Sequence, residues 1–135
     1  MIRFLADTNI LGYLVRNASP ALTRRTRGAM QAGEVAISAV TRAETRFGQA
    51  LMDPHDKRHA TIDLLLQELP VLEWSRAAAD RYGAVAGDLR VRGQPIGIMD
   101  TMLAAHALAA GLTLVTHNTR DFKRVPGIAL ADWML

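Results

Sequence analysis

The chain has 135 residues and a mass of 14.7 kDa, near the commonest size of one protein domain. Half of its residues are apolar, which suffices for an ordinary core, and the absence of cysteine excludes disulfide frameworks and thiolate zinc sites. The formal charge of +3 and the pI of about 9.9 come mostly from arginine, which suits an anionic partner, either nucleic acid or an acidic protein. We expect one domain over residues 1–135, located in the cytoplasm, because the chain begins without a signal-peptide pattern and has no membrane-length apolar run.

Short apolar runs alternate with stretches of helical periodicity along the chain. Residues 2–6 predict a buried strand, and apolar residues recur at helical spacing over 10–15. Ser19 as N-cap and Pro20 at the first helical position begin a second helix, which we expect to stop at Gly33. The pattern then predicts, in order, a strand at 35–37, helices at 40–52 and 58–68, a strand at 71–74, a helix from Ser75 to Val91, a helix from Met99 or Asp100 to Ala110, a strand at 112–116, a polar loop at 117–126 and an edge strand at 128–130.

This alternation is typical of the α/β class. It predicts a three-layer α/β/α sandwich around a central, mainly parallel sheet of four to five strands. In such a sheet, ligands bind at the carboxyl ends of the strands, so polar residues that directly follow strands are the first candidates for a functional site.

The 13 acidic residues separate into two groups by position. Most lie in predicted turns or on polar helix faces, where a solvated role is the default. The others follow strands or interrupt uncharged surroundings: Asp7 ends strand one, Glu44 lies in the helix after strand two, Asp100 opens the Ala-rich helix and Asp121 follows strand four. Each has a structural alternative, since Asp7 and Asp100 could be helix N-caps and Glu44 could face solvent. The carboxyl ends of parallel strands lie at one edge of the sheet, so Asp7, Glu44 and Asp121 could converge there. Asp100 reaches that edge only if the long helix before it returns the chain there.

Converging carboxylates cannot all stay ionised without help. Two unit charges ~4 Å apart repel by ~4 kcal/mol at an effective dielectric of ~20, so either some pKa values rise or a divalent cation neutralises the cluster. Oxygen ligands without cysteine favour a hard cation, Mg²⁺ or Mn²⁺. Carboxylate-held Mg²⁺ is typical of phosphodiester cleavage by an activated water.

Four stretches of sequence carry recognisable motifs: FLADTNI at 4–10, ISAVTRAE at 37–44, PIGIMD at 95–100 with LAAHA at 103–107, and LVTHNTRDF at 114–122. Together and in this order, they resemble the PIN-domain ribonucleases, and specifically the VapC-type toxins of bacterial toxin–antitoxin pairs. The resemblance spans nearly the whole chain, and no acid of the family pattern is missing.

The resemblance implies a Mg²⁺- or Mn²⁺-dependent endoribonuclease that cuts single-stranded RNA, such as a tRNA or rRNA loop, and leaves 5′-phosphate and 3′-hydroxyl ends. It also implies a homodimer, a small neutralising antitoxin of the VapB type and no membrane association. The family's catalytic acids fall on four positions, of which the first, third and fourth would hold the metal while the second positions or deprotonates water: Asp7, Glu44, Asp100 and Asp121. Asn9, Thr116 and Asn118 match polar positions that support the site.

Two basic clusters are candidates for contact with the RNA backbone, and they could equally contact an acidic antitoxin. They are Arg24, Arg25 and Arg27 in the second helix, and Arg120, Lys123 and Arg124 after strand four. His106 lies among alanines and is interpreted as a core histidine, and His117 is given no role.

Three other function classes compete with the ribonuclease interpretation. A phosphoacceptor receiver domain needs paired acids after strand one and a late lysine ending a strand, whereas Thr8 follows Asp7 and neither Lys57 nor Lys123 ends a strand. A phosphatase with an aspartyl nucleophile needs a second aspartate where Asn9 stands. The third alternative, a PIN-like module that binds RNA or protein without cutting, stays open because sequence alone does not demonstrate turnover.

Overall fold

A computed structural model describes all 135 residues. None of its helices combines the length and the apolar character that crossing a membrane would require. The elements, in chain order, are β1 (Phe4–Ala6), α1 (Thr8–Val15), α2 (Pro20–Gln31), β2 (Val35–Ser38), α3 (Ala39–Leu51), α4 (Arg58–Glu68), β3 (Val71–Leu72), α5 (Arg76–Val91), α6 (Ile98–Ala110), β4 (Thr113–Val115), α7 (Thr119–Phe122) and β5 (Leu130–Ala131).

The strands form one five-stranded sheet in the order β3-β2-β1-β4-β5, and every neighbouring pair is parallel. The first strand of the chain is therefore the central one. Because all strands point the same way, the residues that follow β1, β2 and β4 lie at one edge of the sheet.

Each face of the sheet carries its own apolar core, because successive strand residues point to opposite faces. Ala6 of β1 packs with Ile10, Leu22 and Leu66 on the side covered by α1, α2 and α4. Leu5, the neighbour of Ala6, packs instead with residues of α3, α5 and α6 on the other side: Val40, Val85, Leu89 and Leu103. The predicted three-layer sandwich is confirmed, and the sheet has five strands, all of them parallel.

Side-chain caps fix where most of the layer helices begin. Ser19 Oγ accepts the backbone N–H of Leu22, and Ser75 Oγ accepts that of Ala78, as expected for residues chosen as N-caps from the sequence. Gly111 ends α6 with a positive φ of 67°, a left-handed conformation that favours glycine over residues with a Cβ.

Several expected elements differ in their bounds, and the strands expected at 2–6 and 71–74 are Phe4–Ala6 and Val71–Leu72. Residues 117–126 are not all loop, because Thr119–Phe122 forms the single helical turn α7, anchored by the fully buried Phe122. The last strand is Leu130–Ala131 rather than 128–130. Its pairing with β4 begins later because residues 123–127 form a succession of turns, with Gly127 at a φ of 78°.

Candidate active site

Asp7 stands at the carboxyl end of the central strand and directly precedes α1. It is 3 % exposed, and its Oδ1 accepts the backbone N–H of Ile10 at 2.9 Å, so it is the N-cap of α1. Its Oδ2 accepts the hydroxyl proton of Thr116, which follows β4. Asp7 thus caps a helix and also lies at the carboxyl-terminal edge of the sheet, which we call the acidic edge because Glu44, Asp100 and Asp121 lie there too. The two sequence-based interpretations of Asp7 are therefore compatible.

Glu44 reaches the same edge from α3. Its carboxylate oxygen Oε1 accepts a hydrogen bond of 2.6 Å from Thr8 Oγ1, and this hydroxyl also lies 3.2 Å from Thr41 Oγ1. Glu44 is only half-buried, yet it is not simply a solvent-facing helical residue, because its carboxylate is hydrogen-bonded to Thr8, the residue after Asp7. Its Oε2 accepts no hydrogen bond from the protein.

Asp100 lies in the first turn of α6, and the N-cap of that helix is Gly97, so Asp100 is not the cap. The carboxylates of Glu44 and Asp121 both contribute to raising its pKa after burial, which is the largest cause. The long helix α5 therefore does return the chain to the acidic edge, as the convergence of Asp100 with the other acids requires.

Asp121 is carried by α7, just beyond β4. Its Oδ2 accepts a hydrogen bond of 3.1 Å from Asn118 Nδ2, and its Oδ1 lies 3.6 Å from the Arg124 guanidinium. The backbone N–H of Asn118 donates in turn to Thr116 Oγ1. Thr116 therefore links Asp7 to the turn that holds Asp121, whereas Asn9 is exposed in the first turn of α1.

The charge of Asp7 is opposed by its surroundings. Burial raises the pKa of Asp7 to about 6, and the negative charges of Asp100 and Glu44 act in the same direction, against the hydrogen bonds from Thr116 and Ile10. A carboxylate whose pKa is raised by burial and by neighbouring negative charges is a site where a cation would be favoured.

No group of three or more His, Cys, Asp or Glu side chains is arranged closely enough to hold a metal ion by itself. The acids are instead held by protein donors: Asp7 by Ile10 and Thr116, Glu44 by Thr8, and Asp121 by Asn118. The donor set nevertheless fits Mg²⁺, because that ion prefers oxygen and usually keeps several waters while using one or two carboxylates.

The two basic clusters have different surroundings. Arg120 and Lys123 are exposed on and beside α7, next to Asp121 in the chain. Arg124 is less available, because it also donates to the carbonyl of Pro95 at 3.2 Å and so ties α7 to the loop before α6. The α2 cluster is exposed on a helix that packs beside β2, away from α7 in the layer order: Arg24, Arg25 and Arg27.

Neither histidine near these motifs belongs to the acidic edge. His106 is buried in α6, its Nδ1 lies 2.9 Å from Ser38 Oγ, and burial lowers its pKa below the ordinary value. His117 pairs with Asp132 at 2.8 Å.

Thr8 was not among the site residues expected from the sequence. Its position between Asp7 and the start of a helix suggested only a connection. The available signal was a hydroxyl directly after a strand-end acid, since such a side chain lies at the same edge of the sheet.

The chain matches the PIN domain family over residues 4–128. A relative from Shigella flexneri, described as "tRNA(fMet)-specific endonuclease VapC", is 36% identical over 133 residues, which is 98% of this chain and 99% of the relative. "Ribonuclease VapC2" of Rickettsia felis is 28% identical over 130 residues, 96% of this chain and 97% of that protein.

Solved structures agree with this family. A chain in the structure of DNA-bound VapBC from Salmonella typhimurium superimposes with a TM-score of 0.91 at 31% identity, over 98% of this chain and 99% of that chain. VapBC-1 from nontypeable Haemophilus influenzae gives a TM-score of 0.86 at 30% identity over the full length of both chains. The chain therefore belongs to the PIN-domain family, among its VapC-type ribonucleases.

Proposed function

We propose that this chain is a Mg²⁺-dependent endoribonuclease that acts as the toxin of a toxin–antitoxin pair. The observation that carries the proposal is the gathering of Asp7, Glu44 and Asp100 at one edge, where Glu44 and Asp100 help to raise the pKa of Asp7 and Glu44 helps to raise that of Asp100. We infer a tRNA as the substrate, since the Shigella relative is described as a tRNA(fMet)-specific endonuclease. A neutralising antitoxin of the VapB type is inferred from the VapBC complexes among similar structures.

Asp7, Asp100 and Asp121 are the residues that would hold the cation. When bound, Mg²⁺ supplies positive charge against the developing negative charge of the scissile phosphate. Mn²⁺ would serve the same ligands because it also accepts oxygen donors.

The protein's own side chains then prepare the attack on phosphorus. Glu44 has one oxygen fixed by Thr8 and one without a protein donor, which can orient a water and accept its proton. Thr116 and Asn118 keep Asp7 and Asp121 oriented through their hydrogen bonds. In-line displacement of the ribose 3′-oxygen leaves a 5′-phosphate and a 3′-hydroxyl.

A homodimer is part of the proposal. Phe47 and Leu51 of α3 and Ile98 of α6 are 67%, 73% and 69% exposed, and large apolar side chains of this kind favour coverage by a second copy. Analytical ultracentrifugation should show a dimer that Phe47→Ser shifts towards monomer.

The decisive experiment incubates the purified protein with an initiator tRNA and with a mixed RNA pool, each with Mg²⁺ and with chelator. We expect cleavage only with the metal, with 5′-phosphate ends, and its loss in Asp7→Asn. Asp80→Asn is the matched control because it removes an exposed carboxylate of α5 outside the site. Cleavage that survives chelation or Asp7→Asn would refute the metal mechanism, and failure to cut any RNA would favour a non-catalytic binding module.

A further inference from the structure

A cleft of about 230 Å³ lies between α1, α3 and α4 and opens beside the acidic edge. One end is formed by Thr8 and Glu44, which are joined by the 2.6 Å hydrogen bond of the proposed site. The cleft is therefore continuous with the place where the scissile phosphate would lie.

The floor of this cleft is apolar and its mouth is basic. Leu11, Ile62 and Leu66 are among the residues that line the floor. Arg16 and Arg58 line the cleft as well, and both are exposed. Arg58 is paired with Asp56 at 2.7 Å, whereas Arg16 has no carboxylate partner and lies 5.3 Å from the centre of the Tyr13 ring.

Two glycines, Gly12 and Gly48, line the cleft. Gly48, in the interior of α3, would carry a Cβ with nothing within 4 Å. A Cβ at Gly12 would lie 3.4 Å from an Arg16 nitrogen, so an added side chain would displace the guanidinium rather than the backbone. Glycine lowers helix stability by about 1 kcal/mol relative to alanine, so its presence in α3 is unexplained by the helix alone.

We propose that the α1/α3/α4 cleft is the subsite for the nucleotide next to the scissile phosphate. The base lies on the apolar floor, and Arg16 contacts its phosphate, as arginine side chains do with the nucleic-acid backbone. This inference rests on the proposed ribonuclease function.

Size and charge together favour a single nucleotide over a peptide. The volume is below the ~300–1,000 Å³ of sites for drug-sized ligands, so it accommodates one ring system. A free arginine at the mouth complements a phosphate, and an RNA cut at the acidic edge has to place a neighbouring nucleotide beside Thr8 and Glu44.

The first test fills the cleft without disturbing the acids. Gly48→Leu extends a side chain into it, and Gly87→Leu makes the same change at an exposed position within α5, where a Cβ also meets nothing. Cleavage ends mapped on a randomised RNA pool should show that Gly48→Leu lowers kcat/KM about tenfold for the favoured base at one position beside the cut. The base preferences at other positions should be unchanged, and Gly87→Leu should match the wild type.

The second test does not require turnover. Fluorescence anisotropy with a labelled ten-nucleotide single-stranded RNA measures affinity against salt concentration in the absence of metal. Arg16→Gln should reduce the slope of log affinity against log salt by ~0.7, the value for one phosphate of a single strand, whereas Arg90→Gln on α5 should not.

The outcomes separate the two proposals. Cleavage by the wild type with an unaltered base preference in Gly48→Leu overturns the subsite and leaves the ribonuclease intact. Unaltered RNA cleavage with weakened antitoxin binding would assign the cleft to the antitoxin and likewise overturn it. If the wild type cuts no RNA, the ribonuclease proposal fails. If, in addition, Gly48→Leu and Gly87→Leu bind RNA with the same affinity, the subsite is overturned as well.

Discussion

At the scale of single residues, Asp7 combines two demands that act against each other. Its position after the central strand buries it, and its hydrogen bond to the Ile10 amide makes it the cap of α1. Burial raises the pKa of the carboxyl group to about 6, so near pH 7 the metal-free protein carries a charge that its surroundings disfavour. The ionised carboxylate of Asp7 is thus held in place at the expense of stability.

Asp7→Asn should stabilise the metal-free protein at pH 7. The folded pKa of about 6 lies above the ordinary value of 3.8, so the folded state binds more protons between these values and wild-type stability falls as pH rises through them. The asparagine keeps a carbonyl oxygen for the Ile10 amide. Urea unfolding with chelator should show Asp7→Asn more stable by up to about 3 kcal/mol at pH 7, with the difference vanishing towards pH 4.

The exposed Asp80 provides the comparison for this measurement. Asp80→Asn should follow the wild-type pH profile, because the side chain stands outside the acidic edge. An Asp7→Asn protein that is less stable than the wild type at pH 7 would show that the burial cost assigned to Asp7 is wrong.

Thr8→Val should lower kcat more than it changes KM. The substitution keeps the shape of the side chain but removes the hydroxyl that donates to Glu44 at 2.6 Å, so the carboxylate would lose its orientation. Since a positioned general base contributes about 10²–10⁴-fold, we expect a loss of roughly 10–100-fold in RNA cleavage. Thr8→Ser should restore most of the rate, and equal losses in both variants would exclude the hydroxyl as the cause.

At the scale of elements, a buried contact joins the two helices that carry Glu44 and Asp100. Ser38 Oγ accepts the Val40 amide at the start of α3 and also lies 2.9 Å from His106 Nδ1 of α6. The Trp74 ring meets His106 edge-on at 5.7 Å between centres. These contacts fix α3 and α6 relative to one another below the acidic edge.

Ser38→Ala should therefore cost more than the loss of an ordinary cap. The substitution removes the cap of α3 and leaves a buried imidazole nitrogen without its partner, so we expect about 2–3 kcal/mol in the free energy of unfolding. Ser75→Ala is the matched variant, because Ser75 only caps α5, and it should cost about 1 kcal/mol. Urea denaturation measures both, and equal losses would mean that the His106 contact contributes nothing.

Elements with a strong local signal could be predicted from the sequence, and those set by distant contacts could not. Ser19 with Pro20 and the glycine at 111 mark helix ends by their own chemistry, and the structure places the ends there. The single turn of α7 is too short to show helical periodicity, and it exists because Phe122 is buried against other layers. The register of β5 is set by pairing with β4, which the apolar residues near 130 do not encode.

The candidate site was predictable to the same extent. The acids that follow strands were identifiable because a parallel sheet brings strand ends together. The contact between Thr8 and Glu44 was not identifiable, since it depends on how α3 packs against α1.

At the scale of the whole molecule, six of the 16 lysines and arginines form the two basic clusters, and of these two clusters only that of Arg120, Lys123 and Arg124 lies beside Asp121. Replacing both Arg120 and Lys123 by Gln should reduce the salt dependence of RNA binding by ~1.4, which corresponds to two phosphates of a single strand. Replacing the α2 cluster by Gln at all three arginines should change this slope less. Anisotropy titrations between low and moderate salt test both variants. A larger change of slope for the α2 cluster would show that this cluster, and not Arg120 with Lys123, contacts the RNA backbone.

The strand order has a consequence for the synthesis of such a protein. The central strand β1 is made first, yet it pairs with β4, and Asp7 and Thr116 are joined across 109 positions of sequence. Contacts this distant in sequence form late in folding, because the intervening chain must be closed first. A growing chain on the ribosome accordingly has Asp7 long before it has the β4 segment that orients it. The acidic edge of a protein built this way is complete only near the end of its synthesis, when Thr116 and Asp121 have been made.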